Sequence, residues 1–266
     1  MSRIPKKELL MSFDEYNKTE HPIPYTYILG GKNQLLYYFG SRHCYDPLDQ
    51  EFDSIDKFWD EFIKKTDNHK RIVLLEGGNR AALATKEVAI LEGGEMHYVA
   101  YLAKQANIFT FSPEPPERFR FEELLKHFSK EEIIYYEFAR VCHQWNTMKV
   151  KPDFYTYMNK YMKAGARESG WNDFEFTIEN LIRIHKKLFG IEFDKNDKEF
   201  FYNVINPTTE MSVINKVSRF EDVGFRDNYI LGEIGRFWNE NNSIFVIYGA
   251  SHAVMHEPVL RDFIAN

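Results

Sequence analysis

The sequence predicts an α/β protein in which a mixed, mostly parallel sheet is flanked by helices and interrupted by an all-helical insertion. Four short apolar runs, rich in β-branched and aromatic residues, are typical of strands buried on both faces; they cover residues 35–39, 72–75, 107–111 and 244–248. Helical patterns separate the first three runs, as in β-α-β units. Between residues 118 and 190 the pattern is helical only. Together these observations predict one discontinuous α/β domain with a helical insertion.

The amino-terminal part predicts an edge hairpin followed by a β-α-β-α-β unit. Residues 24–29 and the Gly-Gly-Lys-Asn sequence at 30–33 predict a strand and a tight turn that pair with the first apolar run. Ser54 is the predicted N-cap of a helix whose apolar stripe consists of Ile55, Phe58, Trp59, Phe62 and Ile63. A second helix is predicted over residues 94–105. Right-handed crossovers then bring the carboxyl ends of the parallel strands to one sheet edge, where such folds bind ligands.

The middle of the chain predicts helices. Ser129 begins a Ser-x-x-Glu capping box ahead of a helix over residues 133–145, and Gly190 ends a helix predicted over residues 174–189. A further helix over residues 225–239 leads to the last strand. The boundary with the preceding α/β unit is marked by Pro113, Pro115 and Pro116.

The domain organisation follows from these elements. We expect residues 1–116 and 218–266 to form a discontinuous α/β core that carries the functional site, and residues 117–217 to form a helical insertion or lid. Aromatic residues make up 16% of the chain, and the rings that the strands do not require lie in this insertion. We therefore expect some of these rings to line an amphipathic substrate cavity.

Composition excludes several classes of protein. A formal charge of −6 without a long Lys/Arg run argues against nucleic acid as a partner. No stretch approaches the ~20 apolar residues of a membrane span, and the amino terminus lacks the apolar segment of a signal peptide. We therefore expect a cytoplasmic protein without a membrane span. Cys44 and Cys142 are far apart and in no Cys-x-x-Cys motif, which argues against a disulfide framework or a zinc-thiolate cluster.

Two predicted strands end in the same Gly-x-x-His motif. The first apolar run is followed by Gly-Ser-Arg-His at 40–43, and the last by Gly-Ala-Ser-His at 249–252. A single histidine at such a position is usually structural. Two histidines delivered to the same edge can converge as ligands of one metal ion, or as a base and its partner. The sequence therefore makes His43 and His252 the first candidates for a site.

Acidic and basic side chains accompany the two histidines. Glu76 follows the second apolar run and is flanked by glycines, although it could equally be a helix N-cap or the partner of Arg80. Glu95 lies in the first predicted turn of a helix, where the helix dipole alone favours an acid. His256 is expected at the surface or behind the site. These residues extend the candidate site without identifying its chemistry.

The ordered set of motifs resembles the TraB/PrgY and Tiki family, within the larger group of the erythromycin esterases and ChaN-like proteins. The set comprises Gly40-x-x-His43, Glu76 with Arg80, Glu95-Met96, Arg226 and Gly249-x-x-His252. The resemblance covers about residues 24–116 and 224–263. It implies a mixed α/β fold in which His43, Glu76, Glu95, Arg226 and His252 face one cavity. The family usually has a small residue where this chain has Ser41-Arg42, and the positive charge of Arg42 disfavours a metal cation.

The resemblance implies a hydrolase that acts on a small ester, lactone, amide or peptide. In one mechanism His43, His252 and Glu76 hold a divalent metal (Mn, Co or Zn) that activates water. In the other, a histidine is the general base, a glutamate orients it and Arg226 stabilises the oxyanion. Arg42 and Arg80 are candidates for substrate binding. The alternatives are a haem or small-ligand binding protein of the ChaN-like type, and a non-catalytic regulatory protein of the TraB type.

Overall fold

The computed structural model describes residues 4–31, 33–148 and 150–265, so Lys32 of the predicted turn lies outside the described residues. The chain divides into two compact units. An α/β unit comprises Met1–Glu114 and Arg226–Asn266, and a helical unit comprises Pro115–Phe225. The helical unit therefore covers Pro115–Phe225, whereas the sequence predicted an insertion over residues 117–217.

The α/β unit contains a five-stranded sheet. Its strands are β1 (Tyr25–Gly30), β2 (Leu35–Ser41), β3 (Lys70–Leu75), β4 (Thr110–Phe111) and β5 (Asn242–Gly249). The strand order is β1-β2-β5-β3-β4, and only the β1–β2 pair is antiparallel. The predicted fold class and the edge hairpin are therefore confirmed. The last strand of the chain lies between β2 and β3, so the two Gly-x-x-His motifs follow adjacent parallel strands, with Ser41 opposite Gly249.

The helices follow the predicted order with some different ends. They are α1 (Phe13–Tyr16), α2 (Gln50–Lys65), α3 (Lys86–Gln105), α4 (Glu117–Leu124), α5 (Lys130–Thr147), α6 (Phe154–Ser169), α7 (Ile178–Phe189), α8 (Lys198–Ile205), α9 (Val213–Arg219), α10 (Asp227–Asn239) and α11 (Ala250–Ala265). A short 3₁₀ helix covers Lys7–Leu9, and a π-helix covers Phe220–Arg226. No helix within the described residues has the length and apolar character needed to cross a bilayer.

Several predicted element ends are wrong. The cap of α2 is Asp49 rather than Ser54, because the Asp49 carboxylate accepts the Glu51 amide and the helix begins one turn earlier. Helix α3 consists of two helical segments separated by non-helical backbone at Gly93 and Gly94. The helix predicted from residue 94 matches the second segment, and the first segment, from Lys86, was not predicted. The third predicted parallel strand shrinks to Thr110–Phe111. By contrast, the capping box at Ser129 and the left-handed C-cap at Gly190 are confirmed.

The sheet is buried on both faces. Alternate residues of β5 point to opposite sides: Ile244, Val246 and Tyr248 pack in one cluster, and Phe245 and Ile247 in another. Helices α10 and α11 supply the first cluster, and α2 and α3 supply the second. This explains why the strands are continuous apolar runs, since a strand covered on both faces has no solvent side.

The aromatic residues of the helical unit form its own core. Several rings of the insertion are buried against each other, namely Tyr135, Tyr136, Phe138, Trp145 and Phe154, and others, such as Trp171 and Phe174, are partly buried against them. Their burial stabilises the unit through the hydrophobic effect and edge-to-face ring contacts, such as that between Trp145 and Phe154. The aromatic content is therefore mainly a packing feature.

The glycine of the first motif lets α11 approach the sheet. A Cβ atom at Gly40 would lie 2.6 Å from the Cβ of Ala253, 2.9 Å from the Cα of Ala250 and 2.9 Å from the carbonyl oxygen of Tyr25. Two of these neighbours are backbone atoms, which cannot rotate away. Any side chain at residue 40 must therefore displace α11 from β2.

We expect Gly40→Ala to destabilise the protein by about 1–3 kcal/mol through this overpacking. The matched control is Gly232→Ala, in the exposed face of α10, where a Cβ meets nothing within 4 Å; it should stabilise by about 0.5–1 kcal/mol. Urea unfolding followed by circular dichroism measures both. Equal midpoints for the two variants would contradict the close-approach role of Gly40.

Candidate functional site

Polar side chains converge at the carboxyl edge of the parallel strands. His43, Glu76 and Glu114 follow the strands β2, β3 and β4. His252 lies in the first turn of α11, and Arg226 directly precedes α10. All five belong to the α/β unit. Four were predicted from the sequence; Glu114 was not. It lies shortly after the end of the short strand β4, separated from it by Ser112 and Pro113, and this position is the signal that could have identified it.

Glu76 lies at the centre of the cluster. Its Oε1 accepts from the guanidinium of Arg226 at 3.0 Å, and its Oε2 accepts from the amide of Gly249 at 2.7 Å. The Nε2 atom of His252 lies 3.7 Å from Oε1, and that of His43 lies 4.0 Å from Oε2. Burial alone would raise the pKa of Glu76, but His252, Arg226 and the Gly249 amide outweigh it and lower the pKa to about 2. Glu76 is therefore ionised at neutral pH.

Arg226 joins the ends of three elements through its guanidinium. It donates to both carboxylate oxygens of Glu114, from Nε at 2.8 Å and from Nη2 at 2.7 Å. The same Nη2 donates to Glu76, and Nη1 lies 2.9 Å from Nε2 of His252. The hydroxyl of Tyr248 also donates to Glu114, at 3.2 Å. These contacts use four of the five guanidinium N–H groups, so one N–H on Nη1 has no partner among the described residues.

His252 is held from behind by a buried carboxylate. Its Nδ1 lies 2.8 Å from Oδ1 of Asp227, and the Nε2 of His256 lies 3.0 Å from the same oxygen without the geometry of a hydrogen bond. His256 is fully buried and contacts the hydroxyl of Tyr38 through Nδ1 at 2.9 Å. Because Arg226 can only donate, the Nε2 of neutral His252 accepts from it and Nδ1 carries the proton. Because it is fully buried, His256 lies behind the site and not at the surface.

Burial and charge act in opposite directions on this group. Burial would raise the pKa of Asp227, but His252 and His256 hold it well below its usual range. Burial would lower the pKa of His252, yet Asp227 raises it above the ordinary value. For His256 burial prevails, and its pKa is lowered despite the same carboxylate. The carboxylate is therefore ionised, and His256 is its neutral neighbour.

His43 differs from His252 in being open to solvent. Its side chain is 54% exposed, and its backbone has a φ of 64°, the left-handed conformation that residues with a Cβ seldom adopt. A Cβ atom at Gly249 would lie 2.8 Å from the Nε2 of His43. The glycine of the second motif thus makes room for the histidine of the first. Strained backbone of this kind is frequent at functional sites.

Glu95 lies beside the cluster. It is buried, and its Oε1 accepts from the amide of Cys44, the residue after His43, at 2.6 Å. Gly94, with a φ of 59°, has room for no Cβ because the carbonyl oxygen of Cys44 would be 2.6 Å away. Glu95 therefore fixes the loop that carries His43, and no contact between Glu95 and the other four predicted residues is present in the described part of the chain.

The two arginines predicted to bind substrate are engaged elsewhere. Arg42 donates to Glu51 from its amide at 2.9 Å and from Nε at 3.2 Å, and its Nη2 pairs with Asp49. These contacts fix the start of α2. Arg80 donates to the backbone carbonyl of Glu76, at 3.3 and 3.2 Å, and so supports the end of β3.

Among the described residues, one group of three has the spacing of a metal site: Asp227, His252 and His256, whose ligand atoms lie within 4.8 Å of one another. It shares only His252 with the predicted set of His43, His252 and Glu76. The buried Oδ2 of Asp227 has no hydrogen-bond partner, which suits an ion. However, the proton on Nδ1 of His252, imposed by Arg226, blocks that atom as a ligand. The group fits a metal in residue type and spacing, but not while Arg226 holds its contact.

The predicted metal set meets the same obstacle. Both oxygens of Glu76 already accept hydrogen bonds, from Arg226 and from Gly249. A divalent ion between Glu76 and His252 would lie against the buried guanidinium, whose charge repels it.

Comparisons of the chain with protein-family models, with curated proteins and with solved structures find no match. The resemblance to the TraB/PrgY and Tiki family therefore stays a prediction from the motifs, and the function must be argued from the site itself.

The lowered pKa of Glu76 predicts a pH-dependent contribution to stability. Because the folded-state pKa lies below the ordinary value of 4.5, the ionised carboxylate stabilises the fold above about pH 4.5 and loses this effect as the pH falls toward 2. Between about pH 5 and 2, wild type should lose about 3 kcal/mol more than Glu76→Gln. Urea unfolding at a series of pH values measures this, with the exposed Glu199→Gln as control. Parallel curves for wild type and Glu76→Gln would show that the carboxylate is not stabilised as described.

Proposed function

We propose that the protein is a hydrolase of a small ester, lactone, amide or peptide, and that it activates water with His43 and Glu76. The observation that carries the proposal is the 4.0 Å separation between Nε2 of His43 and Oε2 of Glu76. A water molecule that hydrogen-bonds to both atoms at about 2.8 Å fits this gap. The exposed side chain of His43 leaves the water accessible to a substrate from solvent.

The low pKa of Glu76 assigns the two roles. With a pKa near 2, Glu76 is too weak a base to take a proton from water at neutral pH. His43 is therefore the general base: its Nε2 takes the proton as the water oxygen attacks the carbonyl carbon. Glu76 orients the water and stabilises the imidazolium that forms. The same imidazolium then returns the proton to the leaving oxygen or nitrogen as the tetrahedral intermediate collapses.

Arg226 supplies the positive charge that stabilises the oxyanion of the tetrahedral intermediate. Its remaining Nη1 N–H is available to the oxyanion of the tetrahedral intermediate, and its other donors are fixed on Glu114, Glu76 and His252. A donor that is already oriented stabilises developing charge without reorganisation. In this proposal His252 and Asp227 are positioning residues, because Asp227 sets the tautomer with which His252 holds Arg226.

Metal-dependent hydrolysis is the second candidate, favoured by the spacing of Asp227, His252 and His256 and by the orphaned Oδ2 of Asp227. It requires Arg226 to leave His252. Haem binding and a non-catalytic regulatory role stay predictions, since no contact among the described residues favours either.

We expect His43→Ala to lower kcat/KM for a hydrolysed substrate by about 10²- to 10⁴-fold, the usual contribution of a general base. The assay is a panel of small esters, lactones and dipeptides, followed by pH-stat or absorbance. His69→Gln is the matched control, because His69 contacts Ser243 at the opposite, amino ends of β3 and β5. If His43→Ala turns over every substrate at the wild-type rate, or wild type hydrolyses none of them, the proposal is wrong.

A separate measurement distinguishes the two mechanisms. We expect purified protein equilibrated with manganese, cobalt or zinc and then desalted to retain far less than one ion per chain, because Arg226 opposes a cation beside His252. Inductively coupled plasma mass spectrometry gives the stoichiometry. A full equivalent of metal in wild type that is lost in His252→Ala would support the metal mechanism instead.

A further inference from the structure

The helical unit contains a cavity of about 200 Å³ that the proposed hydrolase chemistry does not use. It lies between α4, α5 and α6 and the segment that precedes α7. One part of its wall is apolar and aromatic, formed by Phe121, Tyr161, Met162 and Phe176. The other part carries charged side chains. A pocket with an apolar body and a few convergent polar groups is the usual form of a small-molecule site.

The charged wall is built around a buried arginine. The Nη1 of Arg120 donates to Glu137 at 2.6 Å and to Glu221 at 2.7 Å, and its Nε donates to Glu117 at 2.8 Å. Arg120 and Glu221 are both buried. Arg140 reaches the same group, with Nη1 3.4 Å from an oxygen of Glu221.

This cluster is short of positive charge. Among the described residues, two guanidinium groups face the three carboxylates of Glu117, Glu137 and Glu221. Two of these carboxylates respond in opposite directions: burial, then repulsion from Glu137 and Asp222, raises the pKa of Glu221 to about 7, whereas Arg120 and Arg140 outweigh burial and lower the pKa of Glu137. An additional cation near these carboxylates would therefore be stabilised.

Glu137 is the carboxylate best placed to receive that cation. It lines the cavity, and its Oε1 contacts Arg120 while its Oε2 lies 3.7 Å from Arg140, beyond hydrogen-bond distance. Oε2 accepts no hydrogen bond from the described residues and therefore retains acceptor capacity. The rings of Phe121 and Phe176 line the same cavity.

We propose that this cavity binds a small amine with an aromatic or bulky apolar body, with the ammonium group on Glu137 and the apolar body against Phe121 and Phe176. The ammonium supplies the missing positive charge, and the rings supply apolar and cation–π contacts. The volume limits the ligand to roughly a single ring with a short chain. The site does not depend on hydrolysis.

A series of three isosteric probes tests the proposal on the intact chain: 2-phenylethylamine, 2-phenylethanol and phenylacetate. Isothermal titration calorimetry at about pH 8, above the pKa of Glu221, should show the amine binding about 10- to 100-fold more tightly than the alcohol, the range of a charge-assisted hydrogen bond. Phenylacetate should bind most weakly. No binding of the amine at about 10 mM, equal affinity for amine and alcohol, or preference for the acid would each overturn the proposal.

Two variants locate the binding. Glu137→Gln should lose the preference for the amine over the alcohol, whereas the exposed Glu199→Gln should keep it. Gly165→Leu should abolish binding of all three probes, because a Cβ at residue 165 points at the ring of Phe176 from 3.6 Å. Gly165→Ala, whose Cβ makes only ordinary contacts, should still bind. If Glu137→Gln does not fold, the Gly165 pair decides: unchanged affinity in Gly165→Leu would show that the amine binds elsewhere.

Discussion

The guanidinium of Arg226 is the interaction on which the candidate site depends. It is largely buried and holds Glu76 at the end of β3, Glu114 after β4 and His252 at the start of α11. A buried ion pair gains little net stability over an apolar contact, but removing one partner leaves an uncompensated charge that costs about 3–5 kcal/mol. These ion pairs therefore determine which side chains pair with each other more than they raise the free energy of unfolding. It also determines the chemistry, because a fixed cation lowers the pKa of Glu76, sets the tautomer of His252 and opposes a metal ion.

Close backbone approach is the second constraint, and it explains why both motifs begin with glycine. Gly40 lets α11 pack on β2, and this packing places the first turn of α11, with His252, at the sheet edge. Gly249 leaves space for the ring of His43 and offers its amide to Glu76. The two glycines have different neighbours, but each removes a Cβ where another element must pass. The shared Gly-x-x-His spacing therefore reflects the packing of adjacent strands, and the two histidines it delivers have unequal environments: one is exposed and the other is enclosed.

The two units use polar groups in different ways. In the α/β unit one guanidinium, that of Arg226, donates to two carboxylates, Glu76 and Glu114. In the helical unit the carboxylates around Arg120 exceed the guanidinium groups, and a cavity lies beside them. Many aromatic residues of this unit build its core, while Phe121, Tyr161 and Phe176 also line the cavity. The sequence thus shows where the aromatic residues lie along the chain, and packing determines which of them can contact a ligand.

Local pattern was sufficient to predict the fold class, the edge hairpin and three of the residues that meet at the sheet edge, His43, Glu76 and His252, because apolar runs and glycine turns act over a few residues. Arg226 was predicted only through the family resemblance. Sequence alone did not place β5 between β2 and β3, pair Arg226 with Glu114, or put Asp227 behind His252. Those contacts join residues more than a hundred positions apart, or depend on which side of a helix faces the sheet. Likewise, the sequence did not reveal the partners of Arg42 and Arg80, which are Glu51 and the carbonyl of Glu76. The sequence by itself determined which chemical groups arrive at the edge; the tertiary structure decided which of them neutralise each other and which one, His43, stays open to solvent.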